Sequence, residues 1–186
     1  SYKNRNVAAA ATGTLEMRLN VGGSPVTNST YDSYMFSFIN VHVDTDETEF
    51  GFNFTTDGTN FNVTKTTTIW DMYHNEAGSE LSLEYDGLGN DLAQGTGYQF
   101  GTDKVPNDAD MCCTGHLNIY SPANTTFVKH FTSRQMQNRA NGSNYSIYDL
   151  HIAGYGNTTS AITGVDFKAA SGTIDGTIKL YGISKS

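Results

Sequence analysis

Along most of this chain apolar side chains recur at every second position, the two-residue period of a strand half buried against a core. In "EFGFNFTTDG", Phe50, Phe52 and Phe54 share one face and Gly51 and Asn53 take the other. Asp57-Gly58 supplies a turn before "TNFNVTK", with Phe61 and Val63, so the two runs predict a hairpin. Upstream, "YDSYMFSFINVHVD" sets Tyr34, Phe36 and Phe38 on one side and Met35, Ile39, Val41 and Val43 on the other. Both sides are apolar, as in a central strand.

Further strands follow in "SELSLEYDGLG", where Leu81, Leu83 and Tyr85 share a face, and in "CCTGHLNIYSP", where Leu117 and Ile119 do. "TTFVKHFTSRQ", "NYSIYDLHIAG" and "SAITGVDFKAA" are short runs of the same kind, each bounded by Gly, Asn or Ser. In "GTIDGTIKLYGI", Ile178 and Leu180 point one way while Thr177, Lys179 and Tyr181 point the other. Gly172 and Gly176 bracket Thr173 to Asp175, which suits a tight turn at positive φ. Repeated short strands with turn signals between them describe an all-β, antiparallel sandwich or barrel. Helical periodicity is weak; "TTIWDMYHNEAG" is the candidate for one helical turn, around Trp70 and Tyr73. "GLGNDLAQGTGYQFGTDKVPNDAD" reads as a long connection. No linker divides residues 1–186, so one domain is expected, with residues 1–13 as an extended N-terminal arm.

Composition sharpens this picture. Ten Phe and eleven Tyr against one Trp favour strands. Eleven Lys plus Arg against nineteen Asp plus Glu give a net charge of -8 without any basic run, which argues against nucleic-acid binding. No apolar stretch approaches the roughly 20 residues that cross a bilayer as a helix, and "SYKNRNVAAAATG" lacks the layout of a signal peptide. Cys112 and Cys113 are adjacent and would face opposite sides of a strand, so free thiols in a reducing compartment are expected.

Candidate chemistry is sparse. Asp44, Asp46, Glu47 and Glu49 cluster in "VDTDETEF", but the spacing lacks the glycine and distant glutamate of a calcium loop, so a solvated hairpin end is the better reading. His42, His74, His116, His130 and His151 are scattered, and the pair Cys113 and His116 has no mate to complete a zinc site; no metal or other cofactor is expected. Glu84, on a strand beside Asp86, is no better a glycosidase acid than any other carboxylate. No nucleophile elbow, phosphate loop or triad is present in the sequence, so an enzyme is disfavoured. Trp70, Tyr73 and Tyr98 are the candidate aromatic platform for a sugar, set against the commoner role of such rings in a core. Sequons at Asn28, Asn53, Asn62, Asn124, Asn141, Asn144 and Asn157 are frequent mainly because Asn and Thr are.

From "GHLNIYSP" through "TTFVKHFTS" and "GNTTSAITGVDFKAASG" to "GTIKLYGI", the chain resembles virion structural proteins of tailed bacteriophages, which similarly end on an "IKLYGI"-like strand. The resemblance implies a β-sandwich of jelly-roll type on the particle surface, as a capsid decoration, fibre or tail component, assembled in the host cytoplasm. It implies other virion proteins as partners, a homo-oligomer such as a trimer, and a role in binding a host-surface glycan; a free-standing carbohydrate-binding module is the alternative. Gly172, Gly176, Ile178, Leu180 and Tyr181 would then build the closing strand.

Overall fold

The computed structural model describes residues 2–9, 15–18, 20–21, 24–25, 31–85, 89–141 and 144–184. Alternation becomes strand in nearly every place the sequence predicts it. The strands are β1 (Tyr2–Ala9), β2 (Leu15–Arg18), β3 (Asn20–Val21), β4 (Ser24–Pro25), β5 (Tyr31–Val43), β6 (Phe50–Thr55) and β7 (Lys65–Asn75). There follow β8 (Leu81–Tyr85), β9 (Gln99–Phe100), β10 (Cys113–Tyr120), β11 (Lys129–Asn141), β12 (Asn144–Gly156), β13 (Gly164–Ala169) and β14 (Ile174–Ser184).

These strands form an antiparallel sandwich. The larger sheet runs β1-β14-β5-β10-β11-β12-β7-β8 and the smaller β2-β13-β6-β9, with β3 and β4 as a separate ribbon. Pairing is nested: β5 with β14, β6 with β13 and β7 with β12, around the β10–β11 hairpin. A chain doubled back on itself and wrapped across two sheets is the jelly-roll type of sandwich. The sheets are unequal, eight strands against four.

Phenylalanine fills the space between them. Phe36 and Phe38 of β5 meet Phe167 of β13 at ring-centroid distances of 5.2 and 5.3 Å. Phe52 and Phe54 of β6 close on Phe131 of β11 at 5.6 and 5.2 Å. Each fully buried ring contributes about 1.5–3 kcal/mol through removal from water, and the tilted contacts add to that.

One side of β6 faces these rings; the other is buried as well, which alternation alone did not foretell. Residues 89–105 run over it. Gln99 and Phe100 pair with β6, Gly101 N donates to Phe50 O, and Thr48 and Val105 exchange backbone hydrogen bonds. The same segment covers the overhanging inner face of the larger sheet through polar contacts: Gln137 with the backbone of Asp103, Thr67 Oγ1 to Gln99 Oε1 at 2.8 Å, and Arg139 to Asp103 at 2.8 Å. The connection expected from the sequence is thus largely irregular, but it is packed.

Several expectations are corrected. The predicted β6 hairpin does not form: after the Asp57-Gly58 turn the chain crosses to the larger sheet, and β6 pairs instead with β13 and β9. Asp57 Oδ1 accepts from Thr59 N and Asn60 N at 2.8 Å each, so the turn is real, but it redirects the strand. The acidic stretch 44–49 is accordingly a corner between sheets, not a hairpin end. The segment around Trp70 is strand throughout, because its β-branched opening pairs with β12 over the full length. Leu81, Leu83 and Tyr85 do share a face, but it faces outward. In the N-terminal arm, Tyr2 to Ala9 pair with β14 as an edge strand, and residues 10–13 lie outside the described residues.

The remaining correction concerns parity. Val41 and Val43 are buried on the same side as Phe36 and Phe38, not with Met35 and Ile39. Asn40 has φ 49°, and opposite it the β10 register jumps at Thr114, so a β-bulge shifts the alternation by one. On the other flank the β14 register jumps at Gly176, which has φ 125°. Gly172, at φ 75°, makes the turn into β14; Gly176 lies inside the strand and answers the bulge, so the two glycines serve separate bends. Beyond it Ile178 is buried, Leu180 packs partly on the core, and Tyr181 is half-buried on the other face.

A Cβ at position 176 would lie 2.5 Å from Asn40 O and 2.9 Å from Val41 Cα, on a backbone that L side chains rarely adopt. Gly176→Ala is therefore expected to lower stability by about 2–4 kcal/mol, measured as a urea midpoint. An unchanged midpoint would show that the paired bulges are not needed.

Candidate binding face

Everything that alternation places opposite the phenylalanine layer projects from the outer face of the larger sheet. Apart from Phe127 in a loop, the exposed large hydrophobic residues among the described residues lie there: Ile39, Trp70, Met72, Leu81, Leu83, Tyr85, Tyr120, Met136, Ile147 and Ile183. Leu81 and Leu83 are each 70% exposed and Tyr85 66%, unusual values for an alternating apolar strand. They sit on β8, at the edge of the sheet.

Register orders this face into rows that cross the strands. One row runs Tyr85, Trp70, His151, Arg134, His116 and Ser37, each directly opposite the next. The Trp70 and His151 rings stack with centroids 3.9 Å apart and planes at 11°. Two residues along, a row of short side chains runs Thr68, Ala153, Thr132 and Asn118. Beyond it stand Thr66, Tyr155 and His130. Tyr120 adds its ring there and its hydroxyl lies 3.1 Å from Thr132 Oγ1.

The short row is the floor of a trough. Two adjoining depressions, of about 380 and 400 Å³, share Thr68, Thr132 and Ala153. One is walled by Trp70, His151, Arg134 and His116, the other by Tyr120, His130 and Tyr155. Opposite walls stand four residues apart along a strand, about 13 Å at roughly 3.3 Å per residue before ring thickness is subtracted.

Charge in the trough is compensated. Arg134 grips Asp149 as a fork, Nε to Oδ1 at 2.9 Å and Nη2 to Oδ2 at 2.6 Å, and His151 Nε2 lies 3.4 Å from Asp149 Oδ1. Burial opposes ionisation of Asp149, but the Arg134 guanidinium outweighs it and holds the carboxyl below its usual range. His116 is pushed down, first by burial and then by Arg134 and His151, which favours its neutral ring. The result is a surface of rings, hydroxyls and neutral imidazole with no net charge at its centre.

The residues singled out from sequence are not brought together. Trp70 lies on this face. Tyr73 lies on the opposite side of β7, stacked on Tyr148 at 4.8 Å, and Tyr98 is on the far sheet, its hydroxyl 2.5 Å from Asp166 and its ring under Lys168. A platform of these three rings therefore does not exist. The histidines behave in the reverse way: scattered in sequence, His116, His130 and His151 line one trough. Their signal was positional, since each falls at an outward place in its strand's alternation.

The acidic corner disperses as well. Asp44 accepts from Thr173 N and Oγ1 at 2.7 Å each, Asp46 accepts from Asn107 N at 3.3 Å, Glu47 faces Lys104 at 3.5 Å, and Glu49 faces Asn90 at 3.4 Å. Among the described residues no group of three or more His, Cys, Asp or Glu is arranged to hold a metal ion. Cys112 and Cys113 are free thiols, and burial drives the Cys113 thiol far up. Of the sequons, Asn53 is buried and closed to glycosylation, and Asn28 lies outside the described residues. Comparison with protein-family models, curated proteins and solved structures finds no match to this chain.

Because the Asp149 carboxyl is lowered on folding, the fork's contribution is fully present above the unfolded value of about 3.9 and is lost as pH falls through the lower folded value. Urea midpoints at pH 5 and near pH 2.5 should fall further on acidification for the native protein than for Arg134→Met. Equal losses would mean that the fork adds no pH-dependent stability.

Proposed function

We propose that this protein is a structural building block of a tailed-phage virion, a capsid decoration, fibre or tail component, that assembles through the outer face of its larger sheet. The single observation that carries the reading is the concentration of exposed apolar side chains on that face. Interiors fold to bury such residues, and an alternating strand that leaves Leu81, Leu83 and Tyr85 in water is suited to being covered by another protein. Electrostatics supports the same face. A chain of net charge -8 repels its own copies. Asp149, the carboxylate in the middle of the face, is already neutralised by Arg134, so contact there avoids that repulsion. The likeness of the C-terminal motifs to phage virion proteins supports the setting. An antiparallel sandwich is consistent with a role as a subunit.

Mass spectrometry of purified particles and light scattering of the isolated protein test this directly. The chain should be found in particles and should self-associate in solution, and Leu83→Glu with Met72→Glu should shift it toward monomer without lowering its melting temperature. A monomer absent from particles would refute the reading.

The trough favours a second activity, that of a carbohydrate-binding face, with Trp70, Tyr120 and Tyr155 as apolar walls and Thr68 and Thr132 as hydroxyl partners. On a glycan array, Thr68→Trp should abolish whatever binding the native protein shows by filling the floor, while Tyr98→Ala should leave it intact. Binding that survives the filled trough would remove this reading.

A further inference from the structure

The larger buried polar group lies away from that face, between β6, β7 and β13. Lys65 is fully buried, and its ammonium nitrogen makes two contacts: Val63 O at 2.8 Å and the side-chain Oδ1 of Asn53 at 2.5 Å. Desolvation pushes the amine down to about 7, so a large share of it is the uncharged, nucleophilic form at neutral pH. Lys129 provides the comparison within the same fold. It is equally buried, but its amine is taken up by the backbone carbonyls of Phe127, Thr158 and Thr159 and faces no side-chain amide.

The Asn53 amide is held still. Nδ2 donates to Phe61 O at 2.6 Å and Thr96 O at 3.1 Å, while Oδ1 also accepts from Phe54 N at 2.9 Å. The Phe54 N–H on Oδ1 draws electron density from Cγ and stabilises negative charge on the oxygen as a nucleophile adds. Cγ lies one bond, about 1.2 Å, beyond that oxygen, so the amine stands no more than roughly 3.7 Å from the carbon it would attack. Directly opposite Asn53 in the β13–β6 ladder stands Asp166, also buried, its carboxylate accepting from Tyr98 at 2.5 Å. Side chains paired in this way are about 4.5–5.5 Å apart at Cβ, so Asp166 is the carboxylate that the register sets beside the amide.

We infer that Lys65 and Asn53 join in an intramolecular isopeptide bond, with Asp166 as the proton carrier. The neutral Nζ adds to Cγ, forming the new C–N bond. Asp166 accepts a proton from Nζ and delivers it to Nδ2, the Cγ–Nδ2 bond breaks, and one molecule of ammonia leaves. Lysine and carboxamide thus become a secondary amide and ammonia, with no oxidant, metal or nucleotide required. The bond ties the smaller sheet at β6 to the larger sheet at β7, across the crossover of residues 56–64, and it is indifferent to redox conditions in a protein whose two cysteines are free. It does not depend on what the outer face binds.

Intact-mass measurement of the purified full chain decides the matter. The native protein should be lighter than its sequence by about 17 Da, the mass of ammonia, and a protease digest should yield a branched peptide joining Lys65 to Asn53. Lys65→Arg and Asn53→Ala should each appear at their full calculated masses. Asp166→Asn, checked for native circular dichroism, should also be at full mass. A native chain at full mass overturns the inference, as does a deficit that maps to a succinimide at Asn141-Gly142 or persists in Lys65→Arg. A folded Asp166→Asn protein that still carries the branched peptide removes Asp166 from the mechanism. Should that variant not fold, the native mass and digest still decide the bond itself.

Discussion

Seven phenylalanine rings between two sheets of unequal size are the constraint from which the rest of this structure follows. Phe36, Phe38, Phe50, Phe52, Phe54, Phe131 and Phe167 come from both sheets and touch at edge and tilted angles, so neither sheet can slide without separating several pairs. A layer packed in this way fixes register, because a slip of one residue would carry every ring to the opposite face. The paired irregularities at Asn40 and Gly176 belong to the same constraint. They let β5 continue past the rings and still turn Val41 and Val43 inward, which keeps the far end of the core apolar.

Fixing one face of the larger sheet defines the other. The trough and its aromatic and imidazole walls are in effect the residues left over once the phenylalanine register is set. Four histidines occupy outward positions on β7, β10, β11 and β12, and three of them line one trough, His116 and His151 on one wall and His130 on the other, although they are far apart in sequence. On the smaller sheet β6 and most of β13 are buried on both sides, with residues 89–105 running over β6. Its polar outward residues, Asn53 and Asp166 among them, are therefore buried and must find partners within the protein. The exposed apolar face and the buried polar group thus fall on opposite sides of the same sandwich.

How far the sequence alone could reach follows from this geometry. Period-two patterning made β10, β11, β12 and β14 readable, and the all-β sandwich with them, because each buries one face more than the other; β13 was readable from its alternation although both its sides are buried. It misled at β6, where Asn53 and Gly51 look solvent-facing but lie under a covering loop that has no pattern of its own. It misled at β5, where one bulged residue inverts the alternation and nothing local announces it except an asparagine able to adopt positive φ. The true partner of β6, more than a hundred residues away, could not be inferred from a turn signal that was itself correct. For the candidate face, Trp70 was singled out as a platform ring, but separating it from Tyr73 and Tyr98 needed the register, which places those rings on other surfaces.

The lysine at position 65 shows what a register adds that a list of residues cannot. Read along the chain, it is an ordinary charge opening a threonine-rich strand, and Asn53 is a sequon between two core phenylalanines. Placed in the sandwich, the pair joins the first residue of β7 to the covered outward side of β6 where the chain crosses from one sheet to the other, and Asp166 stands opposite Asn53 in the ladder. A buried lysine that only filled space would cost desolvation and would be better replaced by methionine or leucine. Lys129 escapes that argument by capping three carbonyls of a loop. Lys65 instead faces a clamped carboxamide with a carboxylate next to it, and in that setting the unfavourable burial of the amine is what makes it reactive.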